Sequence, residues 1–299
     1  MDKAATIGSF DGMHRGHLKV LEVLKEESGR RGLLPMAITF DRHPLELIAP
    51  ERAPGNLMTA ERKIELISDC DVVPILLPFT EELRNTRVCD WLRYIRVKYD
   101  VCLVVLGYDN TFGSDGRDLT FKEYVEIGEA TGVEIVCAPE VEGISSSAVR
   151  KAVKEGDIPS AIRMLGHLPE LEGRVASGFR VGREIGFPTA NLQVSSRLVK
   201  PLAGVYAAYA HIEGFNENSP LPAMVNIGVR PTFDGTATSS LTSTVEAHII
   251  GFDEDLYGKK IRLEFASRLR DERRFDSVDD LRRQLNKDRE AAIQCLSKA

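Results

Sequence analysis

Short, almost wholly apolar runs alternate with amphipathic stretches through the first half of the chain. "AATIGSF", "LLPMAITF", "VVPILL", "VCLVVLG" and "VEIVCAP" are apolar nearly throughout, the pattern of strands covered on both faces. Between them, "HLKVLEVLKEE", "TAERKIELI", "RVCDWLRYIRVKY" and "TFKEYVEIGEA" carry apolar residues at helical spacing, and Thr120 with Glu123 has the spacing of a capping box. Strand alternating with helix predicts a mostly parallel sheet with right-handed crossovers, a Rossmann-like α/β domain. Ligands of such sheets sit at the carboxyl ends of the strands.

From "LEGRVASG" onward the rhythm changes. "GVYAAYAHIEG", "PAMVNIGV", "STVEAHIIGF" and "KKIRLEFASRL" are strand-like and separated by Gly, Pro, Asn and Asp clusters without intervening helices. That predicts an antiparallel β-barrel or sandwich. "SVDDLRRQLNKDREAAIQCL" begins with Ser277 and Asp280 at cap spacing and puts Leu281, Leu285, Ala292 and Leu296 on one face, a terminal helix packed on the barrel. The boundary falls in "MLGHLPEL", giving domains 1–166 and 167–299.

At 299 residues with 43% apolar and 28% charged content, the chain has the composition of a globular protein. No run approaches the roughly eighteen apolar residues of a membrane span, and "MDKAATIGSF" has no apolar leader region; the expectation is a cytoplasmic protein with no membrane partner. The five cysteines (Cys70, Cys89, Cys102, Cys137, Cys295) form no C-x-x-C pair and fit reduced core residues. Residues 1–166 hold 21 Lys+Arg against 27 Asp+Glu, and the remainder 18 against 18. A nucleic-acid binder shows a basic domain, so any phosphate gripped here belongs to a small molecule.

Two of the six histidines stand in "GSFDGMHRGH", residues 8–17. The stretch follows the first strand and opens a helix, so His17 sits at a helix N-terminus and His14 in the loop before it. Free N–H groups and the helix dipole suit a triphosphate, and two imidazoles beside them can stabilise charge developing on an α-phosphate. A divalent metal site built from His14 and His17 with His43 is the rival reading, with no carboxylate or cysteine at ligand spacing to complete it. In "ISSSAVRKAV" the serines cap a helix that carries Arg150 one turn in, either a plain cap or a second phosphate grip.

"GREIGFPTANL", residues 182–192, offers Thr189 and Asn191 as hard oxygen donors one residue apart. In an extended segment they share a face and suit Mg²⁺; a β-turn with Asn191 on its own backbone is the alternative. In "STVEAHII", Val245, Ala247 and Ile249 take one strand face and Glu246 with His248 the other. Glu246 is then a solvated charge or, facing a cleft, the base for an attacking alcohol.

The chain resembles, essentially end to end, the bacterial bifunctional riboflavin kinase and FAD synthetase family. The family's G-x-F-D-G-x-H-x-G-H matches Gly8 to His17, its I-S-S-[ST]-x-x-R matches Ile144 to Arg150, and its glycine-flanked aromatic loop matches "GYDNTFG", residues 107–113. In the second half, G-[RK]-x-x-G-F-P-T-A-N matches Gly182 to Asn191, G-V-Y matches Gly204 to Tyr206, and N-I-G-x-R-P-T-F matches Asn226 to Phe233. Glu246, then D-L-Y-G at Asp255 to Gly258 and L-R-x-E-x-x-F at Leu269 to Phe275, complete the series. Two positions depart: Arg42 replaces the first proline of F-x-P-H-P, and Asn110 stands where an aromatic is common.

The resemblance implies an enzyme that phosphorylates riboflavin in the barrel and transfers AMP from ATP to the resulting FMN in the first domain. It implies His14, His17 and Arg150 as phosphate stabilisers, with Gly8, Phe10, Asp11, Gly16, Ser146 and Ser147 around ATP and Asp109 and Asn110 near the flavin. In the barrel it implies Thr189 and Asn191 for Mg²⁺-ATP and Glu246 as base. Gly182, Arg183, Gly186, Pro188, Arg230 and Arg270 would contact ATP or flavin. The implied partners are riboflavin, FMN and ATP, with no tightly bound redox cofactor and no nucleic acid. A riboflavin kinase with a weak or inactive transferase domain, and a non-catalytic flavin or nucleotide sensor, are the alternatives.

Overall fold

The computed structural model describes residues 1–176, 185–215, 219–232 and 240–297, and of residues 229–232 and 240–243 it describes the backbone. Two compact units divide the chain, Met1–Ser146 and Ser147–Ala299.

The first unit runs β1 (Lys3–Ile7), α1 (Arg15–Arg31), β2 (Leu34–Phe40), α2 (Pro44–Ile48), α3 (Ala60–Asp69), β3 (Val73–Leu77), α4 (Glu81–Asn85), α5 (Val88–Tyr99), β4 (Val101–Leu106), α6 (Phe121–Thr131) and β5 (Glu134–Cys137). Its strands form one parallel sheet in the order β3-β2-β1-β4-β5. The order reverses between β1 and β4, which puts the switch point at the carboxyl end of β1. Helices cover both faces: Ile7, Ile38 and Val104 pack with Leu92 and Ile95 of α5, and Ala4, Ala37 and Leu103 pack with Leu21 and Leu24 of α1 and Ile67 of α3. That double cover accounts for the continuous apolar runs. The two edge strands are the exceptions: β3 has Val73 39% and Leu76 42% exposed around Pro74, and β5 exposes Glu134 and Cys137; the expectation that these two are covered on both faces is corrected there. The capping box at Thr120 and Glu123 forms as expected, with the Thr120 side chain accepting from Glu123 N.

α7 (Ser146–Glu155) and α8 (Ile158–Leu165) come next. Asp157 caps α8 by accepting from Ser160 N at 3.1 Å, Pro159 lies in its first turn, and Ile158 is fully buried in the barrel core. Both helices therefore count almost wholly with the second unit, and the division by packing falls ahead of the change of rhythm near residue 166.

β6 (Glu170–Ala176), β7 (Ala190–Gln193), β8 (Gly204–Ile212), β9 (Leu221–Thr232), β10 (Ser240–Ile249) and β11 (Lys260–Arg270) close into a barrel in the order β10-β7-β6-β11-β8-β9. All their pairings are antiparallel. Tyr206, Leu263 and Phe265 are wholly buried within it. α9 (Val278–Leu296) starts at Ser277, whose hydroxyl accepts from Asp280 N at 3.1 Å. Its Ala292 and Leu296 pack against Ala207 and Met224, and Tyr209 Oη donates to the Leu296 carbonyl at 2.6 Å. β8 is thus covered inside and outside, which explains why it is apolar nearly throughout.

Leu263→Ala is expected to destabilise the barrel by about 2–5 kcal/mol, as burial without a void-filling neighbour predicts. A urea titration following the barrel's unfolding transition checks this, and a loss below about 1 kcal/mol contradicts a closed, well-packed core.

Candidate active sites

The first site grows from the carboxyl end of β1. Gly8 N donates to the Ile38 carbonyl at 3.0 Å, after which the backbone is left-handed at Phe10 (φ 48°), Gly12 (φ 85°) and Met13 (φ 40°). Gly12 takes that conformation freely, whereas Phe10 and Met13 each cost on the order of 1 kcal/mol; their side chains are buried, which offsets it. The loop is tied down at several points. Asp11 is buried, its Oδ1 accepts from Leu57 N at 2.8 Å and its carbonyl from Ser146 Oγ at 2.9 Å.

His14 caps α1 by accepting from His17 N at its Nδ1, 3.3 Å away. A ring that accepts at Nδ1 presents Nε2 as its donor. The two imidazoles stack with centroids 3.7 Å apart and planes 16° apart, and the Phe10 ring meets His17 edge-on at 5.2 Å. A Cβ on Gly16 would lie 3.1 Å from the His14 ring, so glycine lets the imidazole lie against the backbone. The first turn of α1 contains no acidic residue, which leaves the positive end of the dipole uncompensated.

Ser146 opens α7, Ser147 is exposed, and Arg150 is buried one turn further on. Asp109 is exposed; Asn110 donates through Nδ2 to the Ile7 carbonyl. His43 accepts from Leu45 N at 3.1 Å through Nδ1 and caps α2, a role that occupies one of its two ring nitrogens. Among the described residues no group of three His, Cys, Asp or Glu side chains is arranged to hold a metal ion.

The second site lies on the barrel. Pro188, Thr189 and Asn191 line a cleft of about 280 Å³ together with Asp253, Glu254 and Asp255; Gly186 precedes them at φ 82°. Asn191 of β7 stands directly opposite Glu246 of β10, and Glu246 opposite Asn226 of β9. Cross-strand partners share a face, so these three side chains form one polar row. Asn226 Nδ2 also donates to Glu272 Oε1 at 3.3 Å. On the inner face Val245, Ala247 and Ile249 are 2%, 1% and 3% exposed. Glu246 is half-buried. His248 is buried beside the Phe187 ring, so the outer face of β10 is covered there. Its Nδ1 lies 2.8 Å from the Pro188 carbonyl and must be the donor.

Arg270 ends β11 with its guanidinium on Asp288 of α9: Nε lies 3.0 Å from both carboxylate oxygens and Nη2 2.7 Å from Oδ2. Gly182 and Arg183 lie outside the described residues. The backbone of Arg230 pairs with Thr242; its side chain is outside the description.

Both halves match family models, FAD synthetase over residues 1–150 and riboflavin kinase over residues 165–296. The bifunctional riboflavin kinase/FMN adenylyltransferase of Escherichia coli strain K12 is 37% identical over 294 residues, spanning 95% of this chain and 89% of the relative. The chain belongs to this bifunctional family. The Bacillus subtilis member is 30% identical over 295 residues, 97% of this chain and 92% of its own. A solved structure described as a macrolide-efflux protein from Streptococcus pneumoniae shares the fold, with a TM-score of 0.84 and 29% identity over 97% of this chain and 93% of that one. No helix among the described residues here is long and apolar enough to cross a membrane.

This member of the bifunctional family therefore carries both activities, riboflavin kinase and FMN adenylyltransferase. Its departure at Arg42 is absorbed locally. Arg42 Nη2 pairs with Asp41 Oδ2 at 3.1 Å, and Asp41 Oδ1 accepts from Phe79 N at 2.9 Å. Burial pushes the Asp41 carboxyl up, but Arg42 and the Phe79 N–H outweigh it and hold the group below the usual carboxylate range. Sequence reasoning missed Asn226 as the cross-strand neighbour of Glu246, since only strand register brings them together, and Glu272 as the partner of Asn226. It also missed Lys63, which shares a helical face with Ile67.

His248 gives the barrel a pH dependence. Burial, with the charge of Arg289 adding to it and the Pro188 carbonyl opposing, lowers its pKa below the ordinary histidine value. The unfolded chain then binds the proton first as pH falls, so stability is complete above about pH 6.5 and declines below it. Urea midpoints of the wild type and His248→Gln are expected to converge between pH 7.5 and 5; a constant gap contradicts this.

Proposed function

We propose that the two sites act in sequence, with the functional domains divided at residues 166 and 167. In the barrel, the riboflavin 5'-hydroxyl attacks the γ-phosphorus of ATP, Glu246 accepts its proton, and FMN and ADP leave. Because phosphoryl transfer has a loose transition state, Glu246 serves mainly to aim the hydroxyl. Thr189 and Asn191 hold Mg²⁺ with the nucleotide. The fit rests on the donors of the cleft, where the Thr189 hydroxyl and the Asn191 amide oxygen are hard oxygen ligands of the kind this ion takes. When bound, the ion neutralises charge on the transferring phosphates. Gly182, Arg183, Gly186, Pro188, Arg230 and Arg270 complete the ATP and flavin contacts.

In the first domain, the FMN phosphate attacks the α-phosphorus of a second ATP and pyrophosphate leaves. His14 through Nε2–H, His17 and Arg150 donate to the α-phosphate as charge builds there. Gly8, Phe10, Asp11 and Gly16 shape the loop around the triphosphate, Ser146 and Ser147 add donors at the mouth of α7, and Asp109 and Asn110 face the flavin. Both steps consume ATP and the five cysteines are unpaired thiols, which supports a reducing, cytoplasmic setting.

The observation that carries this reading is the register that sets Glu246 against Asn191 while the stacked histidines occupy a separate helix mouth. Purified protein given riboflavin, excess ATP and Mg²⁺ is expected to yield FMN and then FAD. Glu246→Gln should lower FMN formation by about 10²–10⁴-fold and spare FMN-to-FAD conversion. His17→Ala should cost the second step about 10²–10³-fold and spare the first. Accumulation of FMN alone by the wild type would point to a kinase with an inactive transferase, and loss of both steps in either variant would overturn the division of labour.

A further inference from the structure

Lys63 is a buried cation that the chemistry above does not use. It lies on the sheet-facing side of α3, one turn before the fully buried Ile67, and is 8% exposed. Its Nζ donates to the Ser9 carbonyl at 2.9 Å and the Phe40 carbonyl at 2.8 Å. Ser9 begins the histidine loop after β1, and Phe40 ends β2, so one ammonium bridges the carboxyl ends of two neighbouring strands. Thr39 Oγ1 adds a second donor to the Ser9 carbonyl at 3.2 Å.

The consequence runs along the loop. Between Ser9 and His14 the chain is left-handed at Phe10, Gly12 and Met13, a path that holds only while its ends are fixed. Lys63 fixes the near end, the Asp11 bonds to Leu57 and Ser146 fix the middle, and the His14 cap fixes the far end. Burial lowers the Lys63 pKa to about 8, with Asp11 and Asp41 pulling it back up, so at neutral pH the group is mostly charged and its bonds to the two carbonyls are charge-assisted.

We propose that Lys63 is a positioning residue for adenylyl transfer: by bridging the Ser9 and Phe40 carbonyls it holds the loop that aims His14 and His17. It does not touch the reacting atoms. The inference rests on the proposed role of the histidines, and its test keeps the two apart.

The experiment is a double-mutant cycle of Lys63→Met with His17→Ala in the full chain, with riboflavin phosphorylation as internal control and imidazole resonances followed by NMR. Displacing a catalytic group by about 1 Å costs on the order of a hundredfold, so Lys63→Met should lower kcat for FAD formation by that order. The KM for ATP and the kinase rate should stay within about twofold. In the His17→Ala background the same change should cost less than about threefold, because coupled residues are non-additive. The His14 and His17 resonances should move. An equal loss in both backgrounds, or unmoved resonances, overturns the proposal. If thermal melting shows that the Met variant loses its fold, the same cycle with Lys63→Gln decides by the same criteria. A wild type that makes no FAD, or a His17→Ala variant as active as wild type, defeats the role given to the histidines instead, and the resonances of Lys63→Met still decide whether Lys63 places them.

Discussion

Register is the constraint on which the kinase site depends. β10 runs between β7 and β9 in a closed barrel, and Glu246 meets Asn191 on one side and Asn226 on the other. A slip of one residue would turn Glu246 into the core and Val245 out of it. What forbids the slip is the inner row of Val245, Ala247 and Ile249, each almost completely buried; burying Val or Ile contributes about 1.5–3 kcal/mol. The polar row owes its alignment to apolar side chains on the opposite face, and closure leaves the strand no free edge along which to shift.

The adenylyltransferase site is organised differently. No row of cross-strand partners sets it; a short irregular loop does, and irregular backbone has to find its hydrogen bonds one at a time. The Ser9 carbonyl accepts from Lys63 of α3 and from Thr39, the Asp11 carbonyl from Ser146 and its carboxylate from Leu57 N, and the His14 ring from the first turn of α1. The stacked histidines are thus products of several distant parts of the unit agreeing on one loop shape. Asn110 belongs to the same class of contact, since its amide meets the carbonyl of Ile7 at the end of β1.

Much of this was legible in the chain. The five apolar runs of the first half become β1 to β5, and the four later strand-like runs become β8 to β11, because burial on both faces or one leaves an apolar imprint on sequence. The capping pairs at Thr120 and Ser277 form as their spacing suggests. α8 leaves a weak trace: Asp157, Pro159 and Ser160 mark a helix start, but its eight residues are too few to show a sustained apolar period. The composition of β3 and β5 suits covered strands, but edge position is decided by topology. Lys63 reads locally as one charge among the polar residues of "TAERKIELI", and only its four-residue spacing from Ile67 hints that it points inward. Asn226 could not be paired with Glu246 from spacing, since pairing across strands is a property of the closed barrel.

The exposed margin of β3 bears on how the protein behaves when concentrated. Val73 and Leu76 show apolar surface there, which on an unprotected margin would invite another chain to add a strand. Pro74 sits between them, and a proline in such a strand has no N–H to offer a newcomer and favours facing the solvent. The same residue that a central strand could not tolerate leaves a gap in the ladder a neighbouring strand would need.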